Sequence, residues 1–206
     1  MEPSAALLAG LAAGLAIAMQ VGAVSLLLVE AAITAGPRAG AAAGMGVATV
    51  DVAFAAVAAV AGGAAGAVLS THETEIRTAA AGVVAAIGLH GLVASLRGRP
   101  AGSERSTSTA GHRTSGHFTR FLVITAANPL TIASFAAVAA ALSLDGPAAA
   151  LAFTGGVGFA SCAWHMVLAL AAGHAGQWMT PRIRRGLTIV GRLAVLAIAA
   201  HLALGG

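Results

Sequence analysis

Six stretches of this chain, at about residues 5–29, 40–63, 78–96, 121–142, 148–172 and 187–204, are apolar over roughly 18 residues or more. Runs of that length cross a bilayer as helices, and nothing else in the sequence constrains the fold so strongly. They use up most of the 206 residues and leave no soluble domain of useful size. Only 9% of the residues are charged, where soluble domains average about 25%. The expected fold is therefore an all-α membrane protein, one polytopic domain over residues 1–206. Its first run reads as a retained span and not a signal peptide. Met1-Glu2-Pro3-Ser4 gives it no basic leader, and its apolar stretch is too long for one.

The net charge of +4 comes from arginine, and its placement points to a membrane, not to nucleic acid. With six spans, the loops after spans one, three and five share one side. They hold Arg38, then Arg97, Arg99, Arg105, Arg113 and Arg120, then Arg182, Arg184 and Arg185. Arg77 alone lies on the other side, and Arg192 lies inside the last span. This bias predicts cytoplasmic arginine-rich loops and extracytoplasmic termini. Trp178 suits an interfacial anchor.

The longest polar stretch, from Arg97 to Arg120, is rich in Ser, Thr, Gly and Arg and is expected as a flexible cytoplasmic linker. It separates repeat one, about 5–96, from repeat two, about 121–206. A shift of 110 residues places Gly36-Pro37 on Gly146-Pro147, Gly46-Val47 on Gly156-Val157, and Asp51 opposite Ser161. Two related halves of three spans each would be inverted in the membrane, a common way to build secondary transporters with the site at the midplane.

Asp51 stands near the middle of the second apolar run. At helical spacing it joins Gly40, Gly44, Val47, Ala55, Ala58 and Gly62 in one stripe of small residues, which predicts a face turned to neighbouring helices. A carboxylate at that depth costs several kcal/mol and marks an ion or substrate path by default. Desolvation penalises the charged form of a carboxyl group, so Asp51 is the expected proton-coupling residue; a structural acid is the plainer alternative.

Other polar residues in the spans are candidates for the substrate path: Gln20, Thr49, Asn128, Pro129, Ser161 and His165. Pro129 removes a backbone donor and frees carbonyls, as broken helices at ion and substrate sites do, though a simple kink satisfied by Asn128 is the alternative. For Gln20 helix–helix hydrogen bonding is the simpler role. His165 could relay protons, and Arg192 could snorkel to the cytoplasmic surface.

Cys162 is the only cysteine, so intramolecular disulfide and paired-thiol chemistry is excluded. The histidines lack an i, i+4 pair with a carboxylate, so no metal site or cofactor is expected. Nucleotide loops and nucleophile motifs are also missing, and the chain does not read as an enzyme.

The stretch "AVSLLLVEAAITAGPRAGAAAGMGVATVDVAFAA" resembles the lysine exporter (LysE/RhtB-type) amino-acid efflux family. That family typically shows spaced glycines before an acid in its second apolar segment, matched here by Gly36, Gly40, Gly44, Gly46 and Asp51. Asn128-Pro129 matches its Asn-Pro at the start of a later helix. Its usual Pro-Gly-Pro in the first helix is Val21-Gly22-Ala23 here, so the resemblance does not carry the helix-one break over to this chain. The resemblance implies export of amino acids or related small metabolites, in exchange for protons, across the bacterial plasma membrane. The spaced glycines would serve helix packing, and they leave a homo-oligomer open. A cation or metal permease and a non-transporting membrane assembly protein are the other classes. The wealth of Ala, Gly and Arg without Lys suits a GC-rich bacterial genome.

Overall fold

The computed structural model describes residues 1–20, 22–71 and 110–204, with the single residues 78, 89 and 93 between them. Apart from those three residues, the expected span at 78–96 and the linker up to residue 109 lie outside the described residues. Seven helices make up the described part: α1 (Pro3–Ala18), α2 (Ala23–Ala35), α3 (Pro37–Thr71), α4 (Ala110–Ala126), α5 (Pro129–Ala141), α6 (Pro147–Gln177) and α7 (Pro181–Leu204).

Among the described residues two helical segments, Pro37–Val60 of α3 and Pro147–Gln177 of α6, are each long and apolar enough to cross a membrane alone. Two further candidates are bent pairs. α1 and α2 meet at 74°, and the part of α4 from Thr114 meets the part of α5 up to Ala139 at 60°. The first pair falls where one continuous span was expected, at 5–29, and corrects that expectation to a broken helix. The second, at 121–142, is bent at Asn128-Pro129, where the sequence leaves a break or a simple kink open.

The breaks have different local causes. Asn128 caps α5: its side-chain oxygen accepts from the Leu130 N–H at 3.3 Å, and Pro129 takes the first helical position. Proline suits that position because no N–H is needed there. The α1–α2 break forms without either of the family's prolines. Gly22 is extended at φ −122° and ψ −175°, and the Ser25 hydroxyl takes up the Gln20 carbonyl at 3.2 Å.

A second correction concerns the polar stretch 97–120. From Ala110 onward it is helical and forms the start of α4. Its composition looks like a linker, but Phe118 is half-buried and Phe121 fully buried. That apolar face lies on α3: a Cβ added to Gly46 would sit 2.5 Å from the Phe118 carbonyl oxygen.

The two long helices begin alike. Gly36 has φ +93° and Gly146 φ +85°, a region that glycine enters without steric cost, and each precedes the proline that opens α3 or α6. Gly36 meets nothing within 4 Å where a Cβ would be. It serves the turn, whereas Gly40, Gly44 and Gly46 allow close approach.

α6 is the spine of the bundle, with its largest interfaces to α1 and α3. α1 runs parallel to it: Gly10 faces Phe153 and Gly14 faces Val157. α3 runs antiparallel: Gly40 faces Ala169, Gly44 faces His165, and Gly158 faces Val52. Small residues set this closeness, since lipid tails offer no hydrophobic drive and packing must supply the attraction. Outward faces are apolar too, with Val60 85% and Phe159 71% exposed, as lipid solvation permits.

The apolar core divides in two. One cluster joins Leu27 and Leu28 of α2, Val47 of α3, Phe121 of α4 and Ala169 of α6. The other joins Ala6 of α1, Ala55 of α3, Phe135 of α5 and Phe153 of α6. Along α3 and α6 the buried polar side chains Asp51, Ser161 and His165 lie between these clusters, and both helix breaks border the same pocket. Pro37 at the start of α3 lies against Gly173 near the end of α6. Arg38, Arg182 and Arg185 are therefore exposed at one end of the bundle. At the other, the Met1 ammonium meets Asp145 and the Ser143 carbonyl in the α5–α6 loop.

Adjacent glycines test this packing. A Cβ at Gly156 would lie 2.6 Å from the Leu7 carbonyl oxygen, backbone that cannot move aside, whereas one at Gly155 meets nothing within 4 Å. Gly156→Ala is expected to lose about 1–3 kcal/mol of stability. Gly155→Ala is expected to hold or gain up to about 1 kcal/mol through helix propensity. Thermal unfolding of the two variants in detergent measures the difference.

Candidate functional site

Asp51 is 3% exposed and stands where α3 crosses α6. The Ser161 hydroxyl donates to its Oδ2 at 2.6 Å. Small neighbours make this approach feasible: two turns before Asp51, a Cβ on Gly44 would lie only 3.0 Å from the His165 Cβ. The residues that the 110-residue shift sets opposite each other thus touch in space.

His165, one turn beyond Ser161, is also buried. Its Nδ1 lies 2.8 Å from the Ser161 carbonyl oxygen and 3.2 Å from the Ser161 hydroxyl. The hydroxyl has one proton, and Asp51 receives it. Toward His165 both Ser161 oxygens can therefore only accept, which places a proton on Nδ1. Asp51, Ser161 and His165 form one hydrogen-bonded group carried by two continuous helices.

A cavity of about 30 Å³ opens beside this group. Asp51 and His165 line it from the long helices, Gln20 and Gly22 from the α1–α2 break, and Thr125 and Asn128 from the α4–α5 break. Both breaks therefore present backbone ends and polar side chains to the same space. They are also joined to each other, because the Ser134 hydroxyl of α5 donates to Gln20 Oε1 at 3.2 Å. The helix–helix role weighed for Gln20 is present alongside its place at the cavity.

Asn128 does more than fill a kink. While its oxygen caps α5, its Nδ2 donates to the Thr131 hydroxyl at 2.8 Å. Ser161 is buried beside the cavity as partner to Asp51. Thr49 stands apart: it is exposed, and its hydroxyl donates to the Met45 carbonyl one turn back at 2.8 Å. It does not line this cavity. The Pro129 and Arg192 side chains lie outside the described residues.

Sequence reasoning missed Thr125 and Thr131. Thr131 is 7% exposed and bonded to Asn128. Thr125 is 1% exposed and its hydroxyl has no partner. Their spacing around Asn-Pro, three residues before and three after Asn128, was the available signal. Among the described residues no three His, Cys, Asp or Glu side chains converge on one point.

Pockets that enclose a small organic ligand measure about 300–1,000 Å³. The cavity here has room for roughly two water molecules, too little to enclose a ligand of that size.

The Ser161–Asp51 bond can be weighed by a double-mutant cycle. Ser161→Ala should lower stability by about 1–3 kcal/mol, since it strips a donor from a buried carboxyl group. In an Asp51→Leu background the same change should cost less, with a coupling of about 0.5–3 kcal/mol. Thermal unfolding of the four proteins in detergent gives the value.

A family model described as LysE type translocator matches residues 15–206. No curated protein and no solved structure matches the chain.

Proposed function

The chain belongs to the LysE type translocator family, membrane transporters of amino acids or similar compounds, and from that premise we propose that it exports amino acids from the cytoplasm across the plasma membrane in exchange for protons. The observation that carries this reading is the buried Asp51–Ser161–His165 group at a cavity walled by both broken spans. An ionisable group inside a membrane domain is retained only where partners and use offset its cost.

Asp51 is the coupling residue of this mechanism. It takes a proton from outside when the cavity opens outward and gives it up when the cavity opens to the cytoplasm. Charged Asp51 can hold the ammonium group of an amino acid; neutral Asp51 cannot. Proton and substrate thus compete for one carboxyl group, and binding either biases the states differently, as any ligand-driven shift requires. Ser161 holds the carboxyl group in place, and His165 gives a proton its next stop. Gln20 and Asn128 line the substrate path, with the backbone freed at the two breaks.

The architecture supporting this reading is six spans in two inverted halves. The matching glycine turns at Gly36 and Gly146 favour it, as do the paired broken and continuous helices. In two-fold related halves, equivalent residues that touch lie on the axis, and Asp51 and Ser161 are such a pair. Closure at Gly40 and Gly44 lets the halves rock with little side-chain bulk between them. Arginines at the Arg38 and Arg182 end favour a cytoplasmic position for that end, and with it the proposed extracytoplasmic position of both termini.

Proteoliposomes preloaded with a panel of labelled amino acids test the proposal. Efflux of one amino-acid class should accelerate with an inward proton gradient, and in Asp51→Asn it should fall to the gradient-free rate. Failure of the folded wild-type protein to release any panel member would remove amino-acid export. Equal gradient-driven efflux by both proteins would return Asp51 to a structural role.

A further inference from the structure

Helical threonines usually spend their hydroxyl on the carbonyl one turn back. Thr34 does so with Glu30 at 2.7 Å and Thr49 with Met45 at 2.8 Å. Thr125 does not. Its hydroxyl is buried and unpaired, and the residue lines the central cavity. A hydroxyl held that way carries its desolvation penalty without return, which calls for a ligand that supplies the partner.

The start of α5 faces the same space. Pro129 has no N–H, and Asn128 takes the N–H of Leu130. The Thr131 amide has no intrahelical acceptor, because its carbonyl four residues back belongs to Ala127, before the helix begins. Asn128, Leu130 and Thr131 all line the cavity. The N-terminus of this 13-residue helix carries a partial positive charge and favours an anion there. Asp51 lines the same cavity from α3. The space therefore has two poles, donors with a positive dipole on one side and a carboxyl group on the other. An α-amino acid carries the complementary pair.

We propose that Thr125 and the N-terminus of α5 together bind the substrate's α-carboxylate, making Thr125 a specificity-determining residue of the transporter. The inference rests on the amino-acid reading above. In the closed cavity the Thr125 hydroxyl is unpaired; when the helices part to admit substrate, it donates to a carboxylate oxygen. The ammonium group then falls on the Asp51 side. Selection acts on the part shared by all α-amino acids, so Thr125 discriminates free acids from their amides and not one side chain from another.

Binding to the purified full-length protein tests this, with labelled L-leucine, L-threonine and L-lysine as probes and their α-carboxamides as competitors. The wild type should prefer each free acid to its amide. Thr125→Val should weaken binding of the free acid by about tenfold or more and shrink that preference. Its thermal stability should equal or exceed the wild type's, because an unpaired buried hydroxyl is gone. Thr125→Ser, which keeps the hydroxyl, should keep the preference.

Unchanged free-acid binding by Thr125→Val, or an equal loss for acid and amide, would overturn the assignment while leaving amino-acid transport standing. Loss of the preference in Thr125→Ser would overturn it as well. A wild type that binds none of the probes would overturn the amino-acid reading, and this inference with it.

Discussion

One hydrogen bond, from Ser161 to Asp51, organises the middle of this protein. It joins the two continuous long helices at the level where both are otherwise packed by small residues. Its cost explains much of the surrounding structure. A carboxyl group away from water needs donors within reach, so the helices must approach closely; that requires Gly44 against His165 and Gly158 against Val52. Apolar clusters pack on either side of this layer. Function and packing thus share the same residues.

The broken spans solve a second problem. A small polar cargo in hydrocarbon needs hydrogen-bond partners, and a continuous helix has already used its backbone groups. Ending one helix and starting another releases some of them at a chosen depth. The two breaks do this in different ways, one through Asn128 and Pro129, the other through an extended Gly22 with Ser25 holding the Gln20 carbonyl. The Ser134 hydroxyl and Gln20 tie the two breaks together through one hydrogen bond.

Much of this was legible in the residues, and the gaps are instructive. Asp51 stood out because a charge in an apolar run is rare and its helical face was lined with small side chains. Ser161 was legible only through the shift that sets it opposite Asp51. Thr49 and Thr125 could not be told apart: each is a lone hydroxyl in an apolar helix, and only three-dimensional packing shows that Thr49 bonds its own backbone while Thr125 faces the cavity. The break at Gly22 was hidden because proline, the usual marker, is missing there. A Ser- and Thr-rich stretch reads as a linker until Phe118 and Phe121 are seen against α3. Gly36 was grouped with the packing glycines by spacing, yet its positive φ assigns it to the turn.

On the proposed mechanism one carboxyl group, that of Asp51, serves proton and substrate in turn. Proton release on substrate binding tests it most directly, measured with a pH indicator in weakly buffered solution of the purified protein. A bound amino acid should displace protons from the wild type and none from Asp51→Asn. Equal release from both proteins, or none from a wild type that demonstrably binds, would contradict it.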